Sequence, residues 1–198
     1  MTTIQIANAA LAELGSQRIT DLEDSSESAR LCKANIESAI REVLELGKWK
    51  AARTQAELTQ NSTGPDFGWD YSYNLPVDYL RLVSFNEIDS EDIVQELFER
   101  QGNVLLTDED EVSIVYIKDL TIATNDVNLM GPLLTRCCIL NIAIKLSVPL
   151  TNGSRSTRES LANDLEITLR KAKAANSGES FQPTIDPASG SRWIPSRF

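Results

Sequence analysis

The chain contains no histidine in its 198 residues. That removes the Ser-His-Asp and Cys-His nucleophile systems and every histidine metal ligand. Only three cysteines are present, two of them adjacent at Cys137 and Cys138, and none stands in C-x-x-C spacing. They supply neither a zinc site nor a disulfide framework, and are expected as small buried apolar residues of a reduced, cytosolic chain. There is no G-x-x-x-x-G-K-[ST] loop and no G-x-G-x-x-G, so the common phosphate cradles are missing too. Nor is there a long uninterrupted apolar run. The richest window, 133–150, holds Arg136, Lys145 and Pro149, and no basic-then-apolar stretch follows Met1, so neither membrane insertion nor export is expected. No cofactor and no metal is implied.

What is present is acid. Of the formal net charge of -10, residues 87–111 hold nearly all, with ten acidic side chains against Arg100 alone, a net of -9. Such a field repels phosphate, so tight nucleic-acid binding is not expected, while a surface that nucleic acid passes without sticking is. Two carboxylates at the right spacing could in principle hydrolyse a glycoside. Asp108, Glu109, Asp110 and Glu111, however, lack the alternate-ligand pattern of a calcium loop and fit a solvated turn.

Periodicity divides the chain. Ile4, Ala7, Leu11 and Leu14 recur at helical spacing before Gly15. Asp24 stands three residues before Glu27 like a capping box, opening a second helix whose stripe is Ala29, Cys32, Ile36, Ala39, Ile40, Val43 and Leu46, ended by Gly47. From Lys48 the pattern changes to short extended segments: KWKAARTQAELTQ, YSYNLP, LRLVSFN, IVQELFERQ, NVLLT and VSIVYIKDL. Helical spacing returns near Asn128. Residues 133–148 are apolar nearly all round, which requires cover on more than one side, from a bundle or a neighbouring subunit. Ser156 and Glu159 then suggest a capped fourth helix along Leu161, Leu165, Leu169 and Ala172.

Two stretches are rich in aromatics. In DFGWDYSYNLPVDYLRL, residues 66–82, Phe67, Trp69, Tyr71 and Tyr73 alternate and would share one face of a strand, packing a core or subunit interface, before Pro76 redirects the chain. Residues 176–198 have no period, yet carry Phe181, Trp193 and Phe198, so they are expected to form an extended arm that orders on a partner. Trp193, Ile194 and Phe198 are the expected anchors, with Phe181 beside them and Arg192 and Arg197 reaching acidic groups.

The order of several short motifs resembles the head-to-tail adaptors of short-tailed bacteriophages, the tail tubular protein A type. The residues are Ala10, Leu11, Leu14 and Gly15; Ile19, Leu22 and Asp24; Ser28 and Ala29; Trp49; and Tyr73, Leu75, Pro76 and Asp78. The likeness covers roughly the first 85 residues. It implies a ring, usually a dodecamer, between the portal protein and the tail nozzle protein, with genomic DNA passing through the lumen without specific binding. It implies a virion component made in the host cytoplasm, and no enzyme.

The resulting expectation is an α+β fold: a four-helix bundle from 1–47 and 128–175, an inserted small antiparallel β-sheet or barrel from 48–127, and an extended C-terminal arm from 176–198. Phe67, Trp69, Tyr71, Tyr73, Leu133 and Leu140 are expected at subunit interfaces. The rival readings are a soluble cytosolic peptide- or protein-binding module and a small carbohydrate-active enzyme using the acidic tract.

Overall fold

A computed structural model describes residues 1–90, 97–122, 126–151 and 154–178. Helix α1 (Thr3–Glu13) opens with a reciprocal cap between Thr2 and Gln5, and Gly15 turns the chain out of it at φ 66°. Helix α2 (Glu27–Glu45) starts two residues later than the Asp24 signal suggests. Ser26 is its cap, taking the Ala29 N–H at 3.2 Å, while Asp24 closes the preceding loop by accepting from Thr20 and Asp21 N–H. Its buried stripe ends on Leu44, with Leu46 exposed.

The strands follow as β1 (Arg53–Leu58), β2 (Tyr71–Asn74), β3 (Tyr79–Phe85), β4 (Ile88–Asp89), β5 (Glu99–Gln101), β6 (Val104–Thr107) and β7 (Val112–Lys118). Helices α3 (Pro132–Leu150) and α4 (Arg155–Gly178) complete the chain. The α4 cap is Ser154, whose Oγ takes the Thr157 N–H, whereas Glu159 pairs with Arg155 at 2.7 Å instead of joining a cap with Ser156.

The expected four-helix bundle with an inserted barrel is not what forms. The fold is mixed α/β: four helices and two antiparallel sheets, ordered β1-β7-β3-β4 and β2-β6-β5, with no closed barrel among the described residues. Strand β7 gives the physical reason. Its side chains alternate, so that Val115 and Ile117 join the helical core while Val112, Ile114 and Tyr116 join a second core shared with β2 and β6. Strand β3 divides likewise, Val83 to the helices and Leu82 and Phe85 to the other side, with register shifts against β7 accommodating the change. The central strands β7 and β3 are thus a middle layer covered on both faces, not part of an insertion standing apart from a bundle, while the edge strands β1 and β4 stay partly exposed.

Pro76 explains why there are two sheets. The Leu75 N–H still bonds the Asn103 carbonyl at 2.9 Å, but the turn closed by Tyr79 N–H on the Pro76 carbonyl carries β3 into the other sheet. Within the helical layer α3 touches α1, α2 and α4. By length and composition α3 is apolar enough to cross a bilayer. Its cover comes from within the chain, and its charged residues pair across that packing, Arg136 with Glu13 at 2.6 Å and Lys145 with Glu42 at 2.7 Å. Burial pushes the Glu42 carboxyl up, yet hydrogen bonds from Lys145 and Asn141 bring it below the usual carboxylate range.

Candidate functional site: a carboxylate-lined cleft

An open cleft of about 700 Å³ lies where three chain turns meet: the end of β1, the β3–β4 turn and the β6–β7 loop. Glu57, Gln60, Glu87, Glu109, Asp110 and Glu111 line it. The turn at Asn86 and Glu87 has positive φ at both residues, 44° and 68°, as a tight hairpin of this hand requires. Asparagine suits the first position because its short amide also bonds locally. Here Asn86 fastens the turn to β7: its Oδ1 accepts from Ser113 N–H at 2.8 Å, and its Nδ2 donates to the Glu111 carbonyl at 3.1 Å.

The acidic loop is held by its backbone. Tyr73 is buried and donates its hydroxyl to the Glu109 carbonyl at 2.9 Å. Thr107 Oγ1 accepts from Glu109 N–H, and Asp108 accepts from Asp70 N–H at 3.0 Å. Residues 108–111 themselves are exposed. The field they create is felt by Tyr73, whose phenol is raised first by burial and then by Asp110, Tyr71, Glu111 and Glu109.

Chemically the cleft concentrates negative charge on fixed backbone and open side chains. No group of three or more acidic or cysteine ligands with metal-holding geometry occurs among the described residues. What the arrangement does is repel anions and attract cationic groups. Of the remaining acids in the tract, Glu87 and Glu99 are exposed and Asp89 pairs with Lys48 at 2.5 Å. Glu91, Asp92 and Glu96 lie outside the described residues.

The aromatic face expected from residues 67–73 is not a single surface. Gly68 turns the chain at φ 88°, which interrupts the extended run, and only Tyr71 and Tyr73 fall in β2. Phe67 is 88% exposed, Trp69 is half-buried with its indole N–H on Glu99, and Tyr73 lies in the second core. Leu140 is buried inside the helical layer, so it and Tyr73 serve this chain's own packing. Leu133 is partly exposed at the start of α3. Phe181, Arg192, Trp193, Ile194, Arg197 and Phe198 lie outside the described residues.

Sequence reasoning missed two features. Tyr79 stacks on Tyr116 at 5.6 Å with the Arg100 guanidinium 4.8 Å above the Tyr79 ring, a contact between segments 21 residues apart in β3 and β5. A smaller apolar groove beside Trp49 also has no single-segment signal, because its residues come from three separate parts of the chain. Compared with known proteins, the chain matches no family model and no curated protein.

Proposed function

We propose that this protein is a structural head-to-tail adaptor of a short-tailed phage, a ring subunit between portal and tail nozzle through which the genome passes. The observation that carries the reading is where the motif residues fall. Leu11, Ala29, Trp49, Tyr73 and Leu75 are core residues, and Gly15 occupies a left-handed turn. Ile19 is buried with its backbone bound on both sides by Asn8, and Asp78 accepts the Tyr116 hydroxyl at 2.9 Å. Residues that resemble a family in order, and that each determine this fold, favour common ancestry of the scaffold over chance likeness.

The acidic turns suit the same role. A negative wall keeps DNA from adhering during transit, and in a ring every copy would contribute its own set of carboxylates. The expected arm, whose aromatic residues are its anchors, would then engage the portal, with an adjacent adaptor copy as the other possible seat.

The test is assembly. Full-length protein mixed with portal rings of the virus that encodes it should give portal-bound rings by electron microscopy, with a mass that is a many-fold multiple of 21.9 kDa. Deleting residues 187–198 should leave circular dichroism unchanged and stop the joining. Protein that stays unassembled beside intact portals, or truncated protein that joins normally, would sink the respective part of the reading.

A further inference from the structure

Two apolar features lack cover among the described residues. One is a projecting ring: Phe67, in the loop between β1 and β2, is 88% exposed although the loop around it is fastened. Before the ring, the Thr63 carbonyl accepts from the Ser72 hydroxyl at 3.2 Å. After it, the Trp69 indole N–H donates to Glu99 at 3.1 Å and the Asp70 N–H to Asp108 at 3.0 Å. A ring held out on an anchored loop loses little further freedom when it binds. The other feature is the groove beside Trp49, about 140 Å³ in volume and walled by Trp49, Ala51, Pro132, Leu133, Ala172 and Ala175.

We infer that these two features meet between copies of this chain, the Phe67 ring of one copy seated in the Trp49 groove of the next. The sizes match, since an apolar cavity of about 150 Å³ accepts benzene. The charges match too. Asp66 and Asp70 stand on either side of Phe67, both exposed and in no ion pair among the described residues. Lys171 and Lys173, exposed and likewise unpaired, stand on either side of Ala172 in the groove wall. Opposite signs therefore steer ring to groove, and like signs oppose ring on ring or groove on groove.

Ring and groove are different surfaces, so the contact is heterologous and repeats head to tail, which generates a closed ring of subunits where the rotation closes. One Phe buries about 150–250 Å², against about 800 Å² per partner in a standard interface, so Phe67 is an anchor inside a wider contact. The inference rests on the ring-subunit reading above, to which it adds the surfaces that join one copy to the next.

Cross-linking of full-length protein assembled on portal rings tests it. Phe67→Cys copies mixed with Leu133→Cys copies and oxidised by glutathione disulfide should give a covalent pair of twice 21.9 kDa, joined 67 to 133, with far less from either variant alone. The natural cysteines are buried and do not compete. Phe67→Asp should raise the concentration needed for ring assembly on portals at least about tenfold, and Ala175→Gln, filling the groove from an exposed position, should do the same with Phe67 intact. Asp66→Lys with Asp70→Lys should weaken assembly, and adding Lys171→Glu and Lys173→Glu to the same chain should restore it. Unchanged circular dichroism would show that the variants fold. Normal ring assembly by Phe67→Asp, or a mixture that cross-links no better than its components, would overturn the proposal and leave the ring reading standing. Natural protein that never assembles on portals would overturn both. A loss confined to Ala175→Gln would give the groove another occupant, the portal or the chain's own residues 179–198, and overturn the proposal equally.

Discussion

Replacing Gly47 by alanine tests how the end of α2 is locked to the first strand. Trp49 is 2% exposed and donates its indole N–H to the Val43 carbonyl at 2.8 Å, so the ring folds back over the helix end. A Cβ at Gly47 would stand 2.8 Å from Cε2 and 2.9 Å from Cζ2 of that ring. Carbon atoms prefer about 3.5–4.0 Å, so the overlap is at least about 0.6 Å. The ring cannot swing aside without losing its hydrogen bond and its place in the helical core. Overpacking of this kind costs about 1–3 kcal/mol, and alanine returns about 0.4–1 kcal/mol by restricting the unfolded chain. The expected net destabilisation is about 0.5–2 kcal/mol, read by urea unfolding followed in the far-ultraviolet with an unchanged m-value. Trp49→Phe, although destabilising itself, removes the clashing atoms, so the Gly47→Ala penalty should shrink in that background. An equal penalty with and without the indole would refute the reasoning, as would a neutral or stabilising Gly47→Ala.

Two further outcomes follow from burial. Cys32, Cys137 and Cys138 are all buried, and desolvation raises each thiol, Cys137 to about 11 and Cys138 further still. An aromatic disulfide reagent at pH 8 should therefore label none of them in the native protein and all three after denaturation; rapid native labelling would contradict the packing of α3. The Tyr116 phenol is pushed up to about 12, first by burial and then by its hydrogen bond to Asp78, from a usual value of 10.0. Its folded pKa lies above its unfolded one, so its contribution to stability is complete below pH 10 and is lost between about pH 10 and 12 as the unfolded chain ionises first. Tyr116→Phe should weaken that alkaline loss, and an unchanged profile would count against it.

Helices were legible because their signals are local. The stripe from Ala29 to Val43 and the all-round apolarity of α3 specify burial without knowledge of the partner, and α3 indeed lies against α1, α2 and α4. Caps were less legible, since Asp24, Ser26, Ser154 and Ser156 are all competent oxygen acceptors and tertiary placement of the loop decides among them. The layer arrangement was not legible at all. Val115 and Ile117 on one side of β7, and Ile114 and Tyr116 on the other, read simply as an apolar run, which fits a strand in a barrel as well as one sandwiched between helices and a second sheet. The aromatic alternation misled for a related reason: period two is meaningful only while the chain stays extended, and Gly68 at φ 88° ends that condition between Phe67 and Trp69.

The surfaces divide in the same way. The acidic tract was visible in the sequence because charge clustered within residues 87–111 needs no fold to be noticed, whereas the groove by Trp49 exists only once residues 49–51, 131–134 and 172–176 meet. That division bears on function. The residues resembling a phage adaptor sit in cores and turns, so they specify a scaffold, and a scaffold does not by itself specify a task. The task must reside in groups whose replacement leaves the fold intact, and two sets qualify: the exposed carboxylates of 109–111, fixed by bonds that do not use them, and the apolar rim of Leu133 and Ala175, which the interior does not require. Neutralising the first set should change how the protein meets charged polymers, and filling the second should remove the groove beside Trp49. Both changes should leave stability nearly constant, which is the behaviour expected of surfaces retained for contact instead of folding.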